Sequence, residues 1–405
     1  MTQIQSVPRT VLAAASARAL RSCVFLPFFA LVASAQSPRV VVSTTDDVAS
    51  TVGIPFSVED GDLVTVEAGK PVAPFLAGGH FQAIAGFVPT DIDAYAHLPG
   101  SQPGRSGGNV FSLLSNQAGF LDGDILLFNN GGGVALLLSE LDLAAVLGVP
   151  GANIDVDALA YDDTGRMLIS LTDNLAGTVV GDVLDGDLLR IEPALSGVTR
   201  ILTEAEVQAR FTQVTGMTDA ILDLQSLEWA NGELWAAVQS PSRHDGSIIA
   251  LEGNRRVVFD ENDMGLGGAE IDALGSLRPG DEIPVFHMSS PASLPGDLVH
   301  IETRGRALDT LIVLMSGGTG YVPFSRLPGF GAFYMDPNDP WLTALSSAHA
   351  FPRVTLDANG RFSADWHLPT AAVFAGGWTG ELGWSFQLLD FQTKAISAPF
   401  RIKKL

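Results

Sequence analysis

Two short motifs alternate along the first two thirds of the chain. The first is an Asp-Gly-Asp turn that leads into an apolar strand; its copies begin at Asp60, Asp122 and Asp185, and a weaker copy with Ser in the third position begins at Asp245. The second has an acidic residue, an apolar residue, then Asp or Gln followed by a small and a large residue; its copies begin at Asp91, Asp155, Asp223 and Glu270. Recurrence every 60 residues or so predicts an architecture built from structural repeats.

One repeat can be followed from end to end. Residues 157–162, 166–172, 187–192 and 198–202 alternate short β-type runs with turn residues, which predicts four strands. Thr203 and Glu206 then form a capping-box pattern, which predicts the start of a short helix. Four short strands in a unit of about 60 residues are typical of a β-propeller blade.

The two ends of the repeat region predict how the ring closes. The first unit lacks an opening strand: we expect it to begin at residues 55–58, pass through the turn at Asp60 and end near Leu76. The last opening strand, at 270–274, has no blade after it. We therefore expect this last strand to complete the first blade, so that four blades occupy roughly residues 40 to 276 and leave no open sheet edge.

The repeat plan resembles that of small four-bladed propellers of the hemopexin kind, whose blades also open with an Asp-Ala strand that faces the central channel. The Asp-Ala pairs at 93–94, 157–158 and 272–273 carry the resemblance. It departs at Gln225-Ser226, and the aromatic-rich second and third strands of that family are missing here. The resemblance implies a blade plan and no function.

The remainder of the chain predicts a second β domain. Pro and Gly are frequent in 276–297, which we interpret as a linker. About seven strand candidates follow in 298–405, which favours an antiparallel β-sandwich. Residues 384–388 and 397–400 resemble the C-terminal domains of uncharacterised secreted bacterial proteins. We expect the repeat domain to cover 36–275.

The first 35 residues predict a signal peptide. Three arginines and no acidic residue precede an apolar run at 24–32, and Ala33-Ser34-Ala35 has the small residues that signal peptidase requires. Cleavage after Ala35 would leave a chain without cysteine and with a net charge of −25, since the whole chain carries −22. We expect a monomer that is secreted or periplasmic and has no transmembrane anchor. The charge disfavours nucleic acid and anionic membranes, which leaves an extracellular protein or glycan as the expected partner.

The acidic opening strands contain the candidate site. In a propeller these strands line the axis, so one of two sets of side chains would form a ring: Asp91, Asp155, Asp223 and Glu270, or alternatively Asp93, Asp157, Gln225 and Asp272. The candidate metal ligands are Asp91, Asp93, Asp155, Asp157, Asp223 and Asp272. Clustered carboxylates repel each other unless they are protonated, paired with donors or bridged by a cation. Ca²⁺ accepts such oxygen ligands. Alternatively, these acids cap turns and accept hydrogen bonds from backbone N–H groups.

No catalytic residue can be named from the sequence. There is no Gly-x-Ser-x-Gly motif, and no two of the seven histidines have metal-ligand spacing. The recurrent serines Ser57, Ser112 and Ser170 indicate packing in the second strands. We therefore predict a binding module with an unidentified ligand, and the loop at 173–184 is a candidate binding segment. The alternative is a cation-dependent hydrolase with its site at the channel mouth.

Overall fold

The computed structural model describes most of the repeat region and parts of the C-terminal third. The described residues are 38–49, 57–68, 72–76, 78, 81–82, 86–97, 108–129, 133–218, 223–240, 244–277, 285–288, 298–305, 307–316, 322–323, 332–333, 352–367, 383–390, 395–396 and 400–403. Residues 37–405 form one compact unit. The predicted signal peptide and its cleavage site lie outside the described residues. In the part of the chain that is described, no helix has the length and apolar character needed to cross a membrane.

The first sheet is built from the start of the described chain. Its strands and the small hairpin beside them are β1 (Arg39–Ser43), β2 (Val48–Ala49), β3 (Ser57–Val58), β4 (Leu63–Glu67) and β5 (Ala73–Leu76). Strand β1 pairs with β4, and β4 pairs with β5, all antiparallel. The expectation that residues 55–58 open this unit is wrong, because Ser57–Val58 pairs only with Val48–Ala49 in the hairpin. The β-branched run Val40 to Val42, fully buried, supplies the strand instead.

The second and third sheets follow the predicted repeat. The second contains β6 (Ala94–His97), β7 (Asn109–Ser112), β8 (Ile125–Asn129) and β9 (Gly133–Leu138), followed by α1 (Glu140–Leu147). The third contains β10 (Val156–Tyr161), β11 (Met167–Leu171), β14 (Leu188–Ile191) and β15 (Val198–Leu202). Between β11 and β14, the strands β12 (Leu175–Thr178) and β13 (Gly181–Val183) form a separate hairpin. A 3₁₀ turn at Pro193–Leu195 separates β14 from β15, and α2 (Glu204–Thr215) begins with the predicted capping box of Thr203 and Glu206.

The fourth sheet completes the repeat, and one further strand closes the ring. The fourth sheet contains β16 (Asp223–Ala230), β17 (Glu233–Gln239), β18 (Ile248–Ala250) and β19 (Arg256–Phe259), and a 3₁₀ turn follows at Glu261–Asp263. Strand β20 (Ala273–Ser276) then pairs antiparallel with β1, with Val42 opposite Leu274. The first sheet therefore has the order β20-β1-β4-β5, and the predicted closure by the last opening strand is observed.

The four opening strands β6, β10, β16 and β20 surround a common axis. Each contacts the opening strand of the next sheet, and contacts also cross the axis between β6 and β16 and between β10 and β20. The core fills the spaces between neighbouring sheets: Ala94 and Ile125 pack with Val156 and Ile169, for example. Because each sheet is covered on both faces by its neighbours, the opening strands are buried along almost their whole length.

The C-terminal third is also antiparallel β-structure. Its strands are β21 (Val285–Met288), β22 (Leu298–Arg304), β23 (Thr310–Ser316), β24 (Val322–Pro323), β25 (Ala332–Phe333), β26 (Arg353–Thr355), β27 (Arg361–His367), β28 (Gly383–Asp390), β29 (Ala395–Ile396) and β30 (Phe400–Lys403). One sheet has the order β21-β22-β27, and a second contains β26-β23-β28-β29 with β30 also on β28. Strand β21 lies inside the segment interpreted as a linker. Arg361 reaches the ring, where its guanidinium contacts Glu67 at 3.1 Å.

Candidate functional site

The second sequence motif places two polar residues of each repeat at the axis, two positions apart. We call Asp93, Asp157, Gln225 and Asp272 the inner positions, and Asp91, Asp155, Asp223 and Glu270 the outer positions. The four inner side chains are all buried, with relative exposures of 4 to 7%. Of the outer ones, Asp91 is equally buried, whereas the other three are half-buried. All six acids predicted as metal ligands thus lie at the axis.

The inner side chain of each sheet meets the outer side chain of the next sheet. Asp272 and Asp91 are within hydrogen-bonding reach of each other, and so are Asp157 and Asp223. At the third contact, Asp155 exerts the strongest charge effect on Asp93. At the fourth, Gln225 Nε2 donates to Glu270 Oε2 at 3.5 Å. The axis therefore holds four pairs in fourfold repetition, three of two carboxyls and one of an amide with a carboxyl.

Several oxygens of the carboxyl pairs have no hydrogen-bond donor. Asp91 Oδ1, Asp93 Oδ2, Asp157 Oδ2 and both oxygens of Asp272 are buried without a hydrogen-bond partner. Within the described residues, no Lys, Arg or His forms a salt bridge with any of the eight side chains. A hydrogen bond between two carboxyls exists only while one of them holds a proton. Each such pair therefore needs a proton or a bound cation.

Burial changes the acidity of these groups. Desolvation is the main cause at every position, and it raises the pKa of Asp91 and of Asp155 to about 6 and that of Asp223 to about 7. The pKa values of the inner acids are raised well above the usual range by desolvation and, second, by neighbouring carboxylates, as for Asp93 beside Asp155. At neutral pH the axis thus contains carboxyls that are ready to exchange a proton for another cation.

Hydrogen bonding to backbone N–H groups, the alternative interpretation of these acids, explains only some of them. Asp223 Oδ1 accepts a hydrogen bond from the N–H of Leu224 at 2.7 Å, as a capping acid would. The buried oxygens of Asp93, Asp157 and Asp272 named above have no such donor. In the described part of the chain, no three His, Cys, Asp or Glu side chains are already gathered around a single metal position. A cation would therefore have to bridge neighbouring pairs, with some adjustment of the side chains.

The Asp-Gly-Asp turns meet the acidic strands at the same mouth of the channel. The second Asp of the turn caps backbone, as expected of a turn: Asp124 Oδ1 accepts from Glu140 N at 2.9 Å, and Asp187 Oδ1 accepts from Glu204 N at 2.8 Å. The first Asp lies close to an outer acid of the next sheet. The carboxylates of Asp60, Asp122, Asp185 and Asp245 act on Asp91, Asp155, Asp223 and Glu270 respectively and raise their pKa values. A second circle of acids thus surrounds the outer positions.

The glycine of the turn permits this approach. A Cβ on Gly123 would lie 1.6 Å from the carbonyl oxygen of Ile154, the residue just before Asp155. In the first sheet, a Cβ on Gly61 would lie 2.3 Å from the carbonyl oxygen of Pro89. The turn at Gly246, which meets Ala269 O, makes the same contact, so three of the four turns approach the next sheet's acidic segment through backbone atoms, whereas Gly186 faces Glu204. The two motifs that alternate along the chain are the two halves of one inter-sheet contact, which the sequence reasoning missed.

The recurrent serines hold the turns in place, with one correction to their assignment. Ser170 Oγ donates to the carbonyl oxygens of Asp185 and Asp187 at 2.7 and 3.0 Å. In the first sheet, Ser43 makes the same two bonds, to Asp60 at 2.7 Å and Asp62 at 3.0 Å. Ser43, and not Ser57, is therefore the counterpart of Ser170, because β1 supplies the second strand of that sheet. The interpretation of these serines as structural agrees with these contacts.

A second polar cluster lies on the C-terminal sheet β21-β22-β27. His300 Nδ1 contacts Asp365 Oδ1 at 2.6 Å, and its Nε2 contacts Ser363 Oγ at 2.9 Å. Strand register alone joins these residues, which lie more than 60 positions apart, so no local motif indicates the cluster. Ser, His and Asp bonded in this order are the groups of a nucleophilic triad. In working triads the acid is buried, whereas Asp365 is 62% exposed, which fits ordinary cross-strand polar pairing.

Comparisons with known proteins give no family. No family model matches the chain, and curated proteins include no match. Among solved structures, similar chains include the extracellular domain of a protein described as a one-component system from B. thetaiotaomicron, at 12% identity and a TM-score of 0.22; the match covers 85% of this chain and 43% of that one. An auxiliary nutrient binding protein from Bacteroides ovatus matches at 10% identity and TM-score 0.22, covering 91% and 78%.

A third similar structure is PorZ, a surface component of the type-IX secretion system of Porphyromonas gingivalis. It matches at 12% identity and a TM-score of 0.21, covering 89% of this chain and 59% of that one. The chain thus spans less than half the length of the first structure named above. TM-scores near 0.2 are too low to transfer a function, so the function must be argued from the axial site.

Proposed function

We propose that this protein is an extracellular binding module and that the axis of its ring binds a divalent cation, Ca²⁺. The observation that carries the proposal is the set of buried carboxyl pairs at the axis, several of whose oxygens have no hydrogen-bond partner among the described groups. Unpaired buried charge is costly, and either protons or a cation must neutralise it. The predicted signal peptide and the acidic net charge support an extracellular location, where Ca²⁺ is abundant.

Ca²⁺ suits the donor set better than other common ions. All the candidate ligands are oxygens: seven carboxyls and the amide of Gln225. Ca²⁺ takes six to eight oxygens in a flexible geometry, whereas Zn²⁺ favours nitrogen and sulfur and Mg²⁺ demands a strict octahedron. Because the carboxyls stand in pairs and not around one point, the flexible ion fits best. The circle of Asp60, Asp122, Asp185 and Asp245 would attract the ion to the mouth.

Thermal unfolding with and without Ca²⁺ tests the proposal. An ion that binds only the folded state at a hundred times its Kd adds about 2.7 kcal/mol, which corresponds to a rise in Tm of roughly 3–5 °C for a unit of this size. We expect this rise with millimolar Ca²⁺ at pH 7.5 and its loss with chelator. The double variant Asp93→Asn/Asp157→Asn should fold but lose most of the response. Asp263→Asn, which removes an exposed acid in a turn of the fourth repeat, is the matched control. Equal Tm values with Ca²⁺ and chelator in the unmodified protein would reject the proposal.

A second candidate function is a cation-dependent hydrolase with its site at the channel mouth. The observation in its favour is that Asp91 and Asp155, at outer positions of neighbouring sheets, have pKa values of about 6, in the range of a general base. Turnover of ester or phosphate test substrates that requires Ca²⁺ and disappears in Asp155→Asn would favour the hydrolase. Ca²⁺ binding without turnover favours the binding module.

A further inference from the structure

A cavity of about 480 Å³ opens beside the axial site, in the third repeat. One wall is the segment 152–155 that leads into β10, and the other is formed by Leu171 and residues 173–175 at the start of the β12–β13 hairpin. Pockets for small ligands have volumes of this order. The hairpin belongs to the loop 173–184 that the sequence analysis marked as a candidate binding segment.

The walls of the cavity are held by hydrogen bonds and by the core. Ile154 N donates to the buried carboxylate of Glu140 at 2.9 Å, and Thr172 N donates to the carbonyl oxygen of Asp155 at 3.3 Å. On the hairpin side, Asn174 Oδ1 accepts from Asp185 N at 3.1 Å. Ile154 and Leu171 are buried in the core. The cavity is therefore preformed, which lowers the entropy cost of binding.

The cavity has a single sign of charge. Its described lining residues include two acids, Asp155 and Asp173, and no Lys, Arg or His. Asp155 is half-buried, and Asp173 lies close enough to repel its carboxylate. An anionic ligand is excluded by this repulsion. A ligand with a positively charged donor group would pair with both carboxylates and relieve the repulsion.

We propose that this cavity binds the ammonium end of an organic amine. The ammonium N–H groups donate to the carboxylates of Asp155 and Asp173, and the adjoining methylene groups lie against Ile154 and Leu175. A primary alkylammonium occurs both in free diamines and in lysine side chains of other proteins, and the two sources share this chemistry. The inference goes beyond the axial cation site, although Asp155 belongs to both.

Calorimetric titration of the signal-free protein tests the proposal with two probes, 1,4-diaminobutane and the blocked amino acid Nα-acetyl-lysine methylamide, at pH 7.5 in chelator. We expect at least one of them to bind. Preference for the diamine indicates a free polyamine as the ligand, whereas preference for the lysine derivative indicates a protein side chain. No heat with either probe overturns the proposal.

Variants distinguish binding of the amine in the cavity from its attraction by the general negative charge nearby. Asp173→Asn and the cavity-filling Asn153→Trp, both at exposed positions, should weaken binding by about tenfold or more. Asp46→Asn is the matched control: Asp46 lies three residues after Ser43, as Asp173 lies three after Ser170, and it acts on Asp91 as Asp173 acts on Asp155. Equal losses in Asp46→Asn and Asp173→Asn would overturn the proposal, since only diffuse attraction would remain.

Adding Ca²⁺ distinguishes this proposal from the axial one. If both ligands use Asp155, Ca²⁺ should weaken amine binding severalfold, and Asp93→Asn/Asp157→Asn should reduce that antagonism. Amine binding in a protein whose Tm does not respond to Ca²⁺ would uphold the cavity while rejecting the axial cation. A Ca²⁺ response without amine binding would uphold the axial cation and overturn the amine site.

Discussion

The axis of the ring and the C-terminal sheet β21-β22-β27 hold polar side chains under opposite conditions. At the axis, carboxyls such as Asp93 and Asp272 are buried and several of their oxygens lack a donor. On the sheet, His300 is 37% exposed and both of its ring nitrogens have partners, Asp365 and Ser363. The sheet cluster is complete and needs no ligand. The axial cluster is incomplete, because its carboxyl pairs need a proton or a cation from solution.

The difference has a structural origin in the way the strands are covered. Opening strands of the ring have neighbours on both faces, so nearly all the side chains they carry are buried. Strands β22 and β27 present one face to solvent, where water supplies the missing partners. The same residue types therefore have very different energetic consequences in the two regions.

Opening the ring should have the largest effect on this contrast. Deleting residues 270–275 removes most of β20 together with Glu270 and Asp272, so β1 loses its partner and the axis loses its enclosure. We expect the protein to aggregate or to lose its cooperative unfolding transition. Size-exclusion chromatography measures the first outcome and thermal unfolding by circular dichroism the second. A chain ending at residue 283 keeps the strand and should remain folded and monomeric. If the deletion is as stable and monomeric as that chain, ring closure does not enclose the axis.

Disrupting the close contact between Gly123 and the next sheet should have the second largest effect on stability. Gly123→Ala places a Cβ against the Ile154 carbonyl oxygen, so the turn must retreat from the acidic strand; we expect a loss of about 3 kcal/mol or more in the free energy of unfolding. Gly197→Ala, whose Cβ has nothing within 4 Å, should change it by less than about 1 kcal/mol. Urea denaturation measures both. Equal effects would mean that the turn and the acidic strand are not in close contact.

The buried acids at the axis should make Tm depend on pH, with an expected change of a few degrees. Acids whose pKa is higher in the folded state bind protons more tightly there, so they stabilise the fold at low pH and that stability is lost as pH rises through the folded pKa. For Asp91 and Asp155 that value is about 6, and for Asp223 about 7, against a usual 3.8. In chelator, we expect Tm to fall between pH 5 and pH 8. The fall should shrink with Ca²⁺ or in Asp93→Asn/Asp157→Asn; a Tm that rises over this range contradicts the acid pairs.

The smallest effect is expected on the C-terminal sheet. Ser363→Ala removes one partner of His300 at an exposed position, so the free energy of unfolding should change by no more than about 1 kcal/mol. A fluorophosphonate probe, which marks activated serines, should label the unmodified protein no more than the variant by mass spectrometry. Selective labelling of Ser363 would show a working nucleophile and would break the contrast drawn above.

Much of the architecture was predictable because it is repeated. The alternating motifs predicted the four-stranded units, the helix after Thr203 and the closure by residues 270–274. The first unit was assigned wrongly at Ser57, because β1 precedes every motif and is recognisable only by a five-residue run beginning at Arg39. Its neighbours in the sheet are β4 and a strand more than 200 positions away, and such pairing leaves no local pattern.

The site was predictable in membership but not in arrangement. Periodicity placed the acids of the opening strands at an axis. It did not reveal that Asp272 meets Asp91 or that Asp157 meets Asp223, since this depends on the stagger between neighbouring sheets. For the same reason, the approach of Asp122 to Asp155 was missed, although the strict alternation of the two motifs was its signal. The His300 cluster left no signal in the sequence.

The pairing of β1 with β20 sets the order in which the chain can fold. Residues 39–43 emerge early during synthesis, but their partner at 273–276 appears only after more than 200 further residues. The ring therefore cannot close before residue 276 has been made, and contacts of this sequence separation form slowly. Until then β1 can pair with β4 on one side, but its other edge has no partner. An unpaired strand edge can pair with other chains, so late closure lengthens the period in which the growing chain is prone to aggregate.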